Sequence, residues 1–210
     1  QGFANGVGMA IAERFLAATF NTSDHEIVDH YTYGIVSDGD IMEGVAAEAA
    51  SLAGHLGLGK LIYLYDQNQI TLAGTLAVSF SEDVPARFRA VGWHVLEIDG
   101  NDGDAVREAI KAAQAETSKP SLICARTTIG FGSPKAGNFG VHGSPLGADG
   151  VTQTKAVLGY AGEPAFHVSE EVYDLFQESG ARGAVAQASW QRTFTEYESA
   201  QPQLAKTFLD

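Results

Sequence analysis

A chain of 210 residues with 45% hydrophobic content and no long apolar run is enough for one α/β domain with a full core, and it leaves no segment for a membrane span. Its formal net charge is −13 and its basic residues are scattered, which argues against nucleic acid or an anionic membrane surface as a partner. The single cysteine, Cys124, lies inside the apolar run Leu122-Ile123-Cys124-Ala125. No internal disulfide can form, the thiol reads as buried and inert, and a reducing cytoplasm is the expected setting.

In chain order, residues 5–19 are rich in small and helix-forming residues and predict a helix packed closely through its glycines. Residues 33–37 read as a buried strand. A helix over about 42–56 follows, with Glu43 in its first turn and an alanine-rich face that permits close approach to a sheet. Strand 61–65 precedes the turn-rich stretch 71–81. Ser81-Glu-Asp-Val-Pro85 reads as a helix start with Ser81 as N-cap and acids in the first turn. Strand 93–98, a helix over 104–116 capped by Asp102 or Asp104, and strand 121–126 after Pro120 continue the alternation. The pattern predicts an α/β fold, a doubly wound parallel sheet with helices on both faces.

From Thr127 to Gly150 the alternation stops, in a stretch holding seven glycines and two prolines. A loop of this length inside a domain is either functional or disordered, and His142 lies in it. The last sixty residues are helical in character, with Pro164 and Pro202 as breaks and Gly180-Ala-Arg-Gly183 as a joint. The expected division is an α/β domain over 1–160 and a helical arm or linker over 161–210, leading toward a further domain.

Two polar residues stand just past the ends of buried strands. Asp38 follows Tyr33-Gly-Ile-Val-Ser37, and Asn68 follows Leu61-Ile-Tyr-Leu-Tyr65, thirty residues apart with a helix between them. That is the length of one strand-helix-strand crossover, which makes the strands parallel and brings both tips to the carboxyl edge, where open α/β sheets bind ligands. A carboxylate with an amide oxygen begins the all-oxygen set that Mg²⁺ or Ca²⁺ prefers, with positions left for phosphate oxygens and water. Bland readings exist for both: Asp38 could cap the following helix, and Asn68 could form a turn in Asp66-Gln-Asn-Gln69. Gly39 suits a place where backbone comes close to a phosphate. Gly54-His-Leu-Gly-Leu-Gly59-Lys60 nearly spells a phosphate-binding P-loop. However, Leu61 replaces the required hydroxyl and the glycines end a helix rather than begin one, so they read as a helix C-cap and turn. His25, His30, His55, His94 and His167 share no metal-ligand spacing.

Asp38-Gly39 through Asn68 resembles the thiamine diphosphate motif, and its detailed form resembles transketolase. Glu43-Gly-Val-Ala-Ala-Glu48 to Leu56, Gly57 to Ile62, Phe88-Arg-Ala-Val-Gly-Trp93, Thr128-Ile-Gly-Phe-Gly-Ser133 and Val141-His-Gly-Ser-Pro-Leu146 all read as that family, and the similarity covers nearly the whole chain. Gln1-Gly-Phe-Ala-Asn5 resembles the end of a family loop, so the chain is expected to be a piece of a longer enzyme, one that is inactive by itself.

The resemblance implies a thiamine diphosphate-binding fold and a metal set of Asp38, Asn68 and the Ile70 carbonyl. It implies cofactor contacts from Asp38, Gly39, Glu43, Asn68, Ile70 and His142. Glu43 would sit near the aminopyrimidine in a dimer-interface network, and His142 would assist proton transfer or orientation beside the diphosphate and the sugar substrate. Ser37 departs from the family's usual glycine; it keeps the backbone N–H but adds bulk. The implied activity is transfer of a two-carbon ketol unit from a ketose phosphate to an aldose phosphate, in a homodimer whose sites form between subunits. The other readings are an isolated non-catalytic cofactor-binding or dimerising fragment, and dihydroxyacetone synthase, which shares these motifs.

Overall fold

The computed structural model describes residues 1–210. Its helices are α1 (Gly2–Phe20), α2 (Asp38–Ile41), α3 (Gly44–Leu56), α4 (Val84–Ala90), α5 (Gly103–Ala115), α6 (Gly147–Val157), α7 (Glu170–Ala200) and α8 (Pro202–Leu209). Its strands are β1 (Thr32–Ser37), β2 (Leu61–Gln67), β3 (Ile70–Thr71), β4 (Gly74–Thr75), β5 (His94–Asp99) and β6 (Ser121–Arg126). Four strands form one parallel sheet in the order β1-β2-β6-β5, and β3 and β4 form a separate antiparallel hairpin. The chain divides into two compact units, residues 1–12 with 30–161, and residues 13–29 with 162–210.

In the first unit, the two-residue period of the strands sorts side chains onto opposite faces. Leu61, Tyr63 and Tyr65 of β2 and Leu122 and Cys124 of β6 pack on α1, α3 and α4 through Phe3, Val7, Ala46, Ala50, Ala53 and Phe88. Ile62 and Ile123, with Leu64, Leu96 and Ile98, pack on Ala109 and Ala113 of α5. Helices therefore lie on both faces, as the alternation predicts, and the central strands β2 and β6 are apolar along most of their length because neither face meets water, whereas β1, read from the sequence as buried, is an edge strand with Tyr33 47% and Ile35 78% exposed. The thiol of Cys124 is buried, and desolvation pushes its pKa up to about 12, the signature of an inert packing residue.

An aromatic group of Phe3, Tyr63, Phe88 and Trp93 fastens the first face, with Phe3 stacked on Tyr63 at 4.5 Å between ring centroids. Both polar handles are satisfied: Trp93 Nε1 donates to the Ala50 carbonyl at 2.8 Å and the Tyr63 hydroxyl to the Phe3 carbonyl at 2.7 Å. Gly57 caps α3 in the left-handed region, with φ +61. A Cβ on Gly54 would stand 1.8 Å from the Val91 carbonyl oxygen. These glycines serve helix termination and close packing, not phosphate binding.

Four local expectations need correction. The helix after β1 is two helices: Asp40 accepts hydrogen bonds from Ser37 N and Oγ at 2.8 and 3.1 Å, closing the short α2, and Glu43 then turns extended (ψ 136) as the N-cap of α3, outside its first turn. α4 is capped by Asp83, not Ser81, because Pro85 has no N–H and is tolerated only in the first turn; Asp83 accepts from Ala86 N at 2.9 Å. Gly180 to Gly183 form no joint. They lie within the unbroken α7, since a helix absorbs a glycine for about 1 kcal/mol. Finally, 127–150 contains a 3₁₀ turn, Phe139–Val141, and the start of α6. Other expectations hold: Asp102 caps α5, accepting from Asp104 N and Ala105 N, and Pro202 opens α8 after α7 ends.

In the second unit, the Asn21 side chain ties a loop to itself. Its Oδ1 accepts from Ile27 N and Val28 N, and its Nδ2 donates to the Val28 carbonyl, each at 2.8 Å. Ile27 and Val28 then pack on Phe194, Tyr197 and Ala205, and Trp190 Nε1 donates to the Ile27 carbonyl at 2.9 Å. The Tyr197 hydroxyl is buried with no hydrogen-bond partner.

Two stability changes follow, both readable from thermal and urea unfolding. Gly54→Ala should destabilise the chain by about 2–4 kcal/mol, because the added carbon meets main chain that has no room to move. Tyr197→Phe should leave stability unchanged or raise it by up to about 1 kcal/mol, because it removes an unsatisfied buried hydroxyl. Loss of stability in Tyr197→Phe would mean that the hydroxyl has a partner after all.

Candidate functional site

β1 and β2 run parallel with Ser37 opposite Asp66, so their carboxyl ends deliver Asp38 and the segment 66–70 to one edge of the sheet. Asp38 is only 1% exposed, unusual for a carboxylate at a strand end. Its Oδ2 accepts the Gln69 N–H at 2.9 Å, and its Oδ1 accepts the hydroxyl of the fully buried Tyr65. Gln69 reaches this position with φ +64, a left-handed conformation that non-glycine residues adopt rarely and that the surrounding bonds must hold. Leu76 N donates to the Gln69 carbonyl at 2.8 Å and fixes the other end of the turn.

Asn68 sits inside this turn. Its Oδ1 accepts from Ile70 N and its Nδ2 donates to Asp66 Oδ2, both at 3.0 Å, while Asp66 Oδ1 accepts the Thr127 hydroxyl. Ile70 is buried and pairs with Thr75 in the small hairpin. The structure thus brings together Asp38, Asn68 and Ile70, the three residues expected at a metal.

Burial raises the Asp38 carboxyl above the ordinary carboxylate range; the Tyr65 hydroxyl and the Gln69 N–H pull it back, and the charge of Asp66 pushes it further up. Burial, then the contact with Asp38, drives the Tyr65 hydroxyl upward, so Tyr65 keeps its proton and donates it. A sealed carboxylate facing a second carboxylate, with Arg87 acting on its partner Tyr65, is unfavourable by itself, and a bound cation relieves it. No group of three His, Cys, Asp or Glu residues gathers anywhere in the chain. The available donors are therefore carboxylate, amide and carbonyl oxygens, which fit a hard divalent ion such as Mg²⁺ or Ca²⁺.

The remaining candidates are placed differently. A Cβ on Gly39 would meet nothing within 4 Å, so open space adjoins it. The Ser37 N–H is already engaged by Asp40 Oδ2, which limits what it can offer a ligand. Glu43 is half exposed and pairs with the α-amino group of Gln1 at 2.8 Å, an exposed contact of small energetic weight. His142 is exposed, just after the Phe139–Val141 turn and beside Gly143 at φ +70. Neither Glu43 nor His142 bonds to the Asp38 group. A cavity of about 430 Å³, which sequence reasoning did not anticipate, opens near the same edge and is lined by Gln67, Gln69, Glu97, Ile98, Cys124 and Arg126.

The sequence matches the family model described as "Transketolase, thiamine diphosphate binding domain" over residues 1–210. The chain belongs to this transketolase family. It is 53% identical over 210 residues to the transketolase of Halalkalibacterium halodurans, covering 99% of this chain and 31% of that protein. The solved transketolase from Leishmania mexicana superposes with a TM-score of 0.97 at 42% identity, covering all of this chain and 32% of that one. The Pichia stipitis transketolase in complex with sedoheptulose-7-phosphate superposes at 0.94 with 45% identity, covering 98% and 31%. The chain therefore spans about three-tenths of the length of these relatives.

Sequence reasoning missed Tyr65, Gln69, Asp66 and Thr127 as parts of this site. The period of β2 puts Tyr65 on the same face as Tyr63, but only the β1-β2 register reveals which carboxylate it meets. The left-handed Gln69 carries no compositional signal at all.

The electrostatics yield a testable sign. A carboxyl whose folded pKa lies above its unfolded one contributes stability below the unfolded value, near 3.8, and loses that contribution as pH rises through the folded value. Ionised Asp38 therefore weakens the metal-free fold at neutral pH. Asp38→Asn should raise the melting temperature of the metal-free chain at pH 7 by roughly 2–4 °C, about 1 kcal/mol, and the gain should close toward pH 3.5. A variant that melts lower than the parent at pH 7 in the absence of metal would contradict this account.

Proposed function

We propose that the chain supplies the diphosphate and metal half of a transketolase active site. The observation that carries this reading is the hydrogen bond from Gln69 N to the buried Asp38, which draws the carboxylate against the Asn68–Ile70 segment from thirty-one residues away. Asp38, the Asn68 amide oxygen and the Ile70 carbonyl would hold Mg²⁺ or Ca²⁺, with coordination positions left for diphosphate oxygens. The open space beside Gly39 would admit the phosphate close to main chain.

When bound, thiamine diphosphate supplies a carbanion equivalent that accepts a two-carbon ketol unit from a ketose phosphate and yields it to an aldose phosphate. This chain's residues serve to bind and orient. A cation held by Asp38 would offset the diphosphate charge, a local effect that would outweigh the chain's net −13. Glu43 is assigned to the aminopyrimidine end at a subunit interface, and His142 to proton transfer or orientation at the sugar. His142 lies on an exposed loop between glycines, a position suited to reaching a substrate.

The working assembly is proposed as a homodimer acting on sugar phosphates, with residues 161–210 as an arm toward a further domain. A reducing cytoplasm suits the buried lone thiol, and no helix is long and apolar enough to cross a membrane. Dihydroxyacetone synthase would use the same residues and differ in its acceptor.

Titration calorimetry of the 210-residue chain with thiamine diphosphate, with and without Mg²⁺, tests the reading. Binding should require the metal and should fall below detection in Asp38→Ala and Asn68→Ala. Metal-independent binding, unchanged binding in both variants, or no binding by the parent would each refute the proposal that this chain carries a self-contained half-site.

A further inference from the structure

The Asn68 carboxamide has two chemically opposite ends, and only its oxygen can serve a cation. Half a turn about its last torsion exchanges them within nearly the same volume, so an asparagine that ligates metal needs a neighbour to select the end. Asp66 is that neighbour. Its Oδ2 accepts the Asn68 Nδ2–H while Ile70 N–H donates to Asn68 Oδ1, both at 3.0 Å. The flipped amide would set oxygen against the Asp66 carboxylate and NH₂ against the Ile70 N–H, so both contacts would turn repulsive.

Asp66 is held in turn. Its other oxygen accepts the hydroxyl of Thr127, the residue that follows β6 on the neighbouring strand. Thr127 has little freedom to leave, because a Cβ on Gly100 would stand only 2.6 Å from its Cγ2, placing main chain from the end of β5 against its methyl group. A line of contacts thus runs along the carboxyl edge from Gly100 through Thr127 and Asp66 to Asn68.

We infer that Asp66, anchored by Thr127, is a positioning residue that keeps the Asn68 carboxamide oxygen presented to the divalent cation; this rests on the metal and diphosphate reading of the site. Asp66 acts through Asn68 and does not itself touch the ion. Contacts of this kind around metal ligands typically govern affinity by about 10–100-fold.

The test titrates Mg²⁺ into the 210-residue chain with thiamine diphosphate present, for the parent, Asp66→Asn, Thr127→Val and Asn68→Ala. It is joined by ¹⁵N NMR of side-chain amides in the metal-free chain, where the Asn68 pair is assigned by its absence from Asn68→Ala. Asp66→Asn should weaken Mg²⁺ binding by about 10–100-fold. The Asn68 amide protons, displaced in shift and protected from exchange by the Asp66 acceptor in the parent, should move to the positions of a solvated side-chain amide and lose that protection. Thr127→Val, which keeps the Asp66 charge, should show the same amide change and a smaller loss of affinity.

If Asp66→Asn binds Mg²⁺ within twofold of the parent while Asn68→Ala has lost it, the positioning role is overturned and the metal reading stands. If the parent shows no Mg²⁺-dependent binding, or Asn68→Ala binds as the parent does, the metal reading falls and this inference falls with it. Should Asp66→Asn fail to fold, Thr127→Val decides: unchanged affinity and unchanged amide signals overturn the inference.

Discussion

At the carboxyl edge of the parallel sheet, Asp38 carries a carboxylate out of water, where burial raises its pKa. Each of its oxygens takes one donor, the Tyr65 hydroxyl from inside the sheet and the Gln69 N–H from the turn after β2. Much of the edge is organised around this pair of bonds. The left-handed backbone at Gln69, the placement of Asn68 and Ile70, and the small hairpin that follows all depend on that turn being drawn toward Asp38. Two donors orient the carboxylate without neutralising it.

The sheet makes such precision possible because its central strands are locked from both sides. The aromatic group of Phe3, Tyr63, Phe88 and Trp93 and the alanine face of α3 leave β2 no slack on one side, and α5 closes the other. Tyr65 is part of this packing and of the site at once: its ring lies in the core while its hydroxyl reaches Asp38. A change in the packing under β2 would therefore be felt as a displaced donor at Asp38, which couples stability to ligand binding through one side chain.

The candidate residues fall into two groups. Asn68 is bonded to Ile70, and Asp38 to Gln69 between them. Glu43 and His142 are exposed and joined to none of them. Residues whose partners lie within the chain are placed by it, and residues assigned to an interface or a substrate stand at its surface.

The sequence alone determined the alternation of strands and helices, the parallel sheet with helices on both faces, and the delivery of Asp38 and Asn68 to one edge of the sheet. All of these follow from periodicity and spacing, which are local properties of the chain. It also separated the glycines at 54, 57 and 59 from a phosphate loop, because their place at a helix end is legible from order. Helix boundaries at Glu43 and Asp83 and the continuity of α7 through Gly180 and Gly183 were decided by competition between local bonds, where single residues shift the balance by about 1 kcal/mol. Only the tertiary structure decided that Tyr65 and Gln69 bond to Asp38, and that Asp66, held by Thr127, bonds to Asn68. The strand register chooses which hydroxyl meets which carboxylate, and a left-handed turn at a glutamine exists only because the folded edge holds it there.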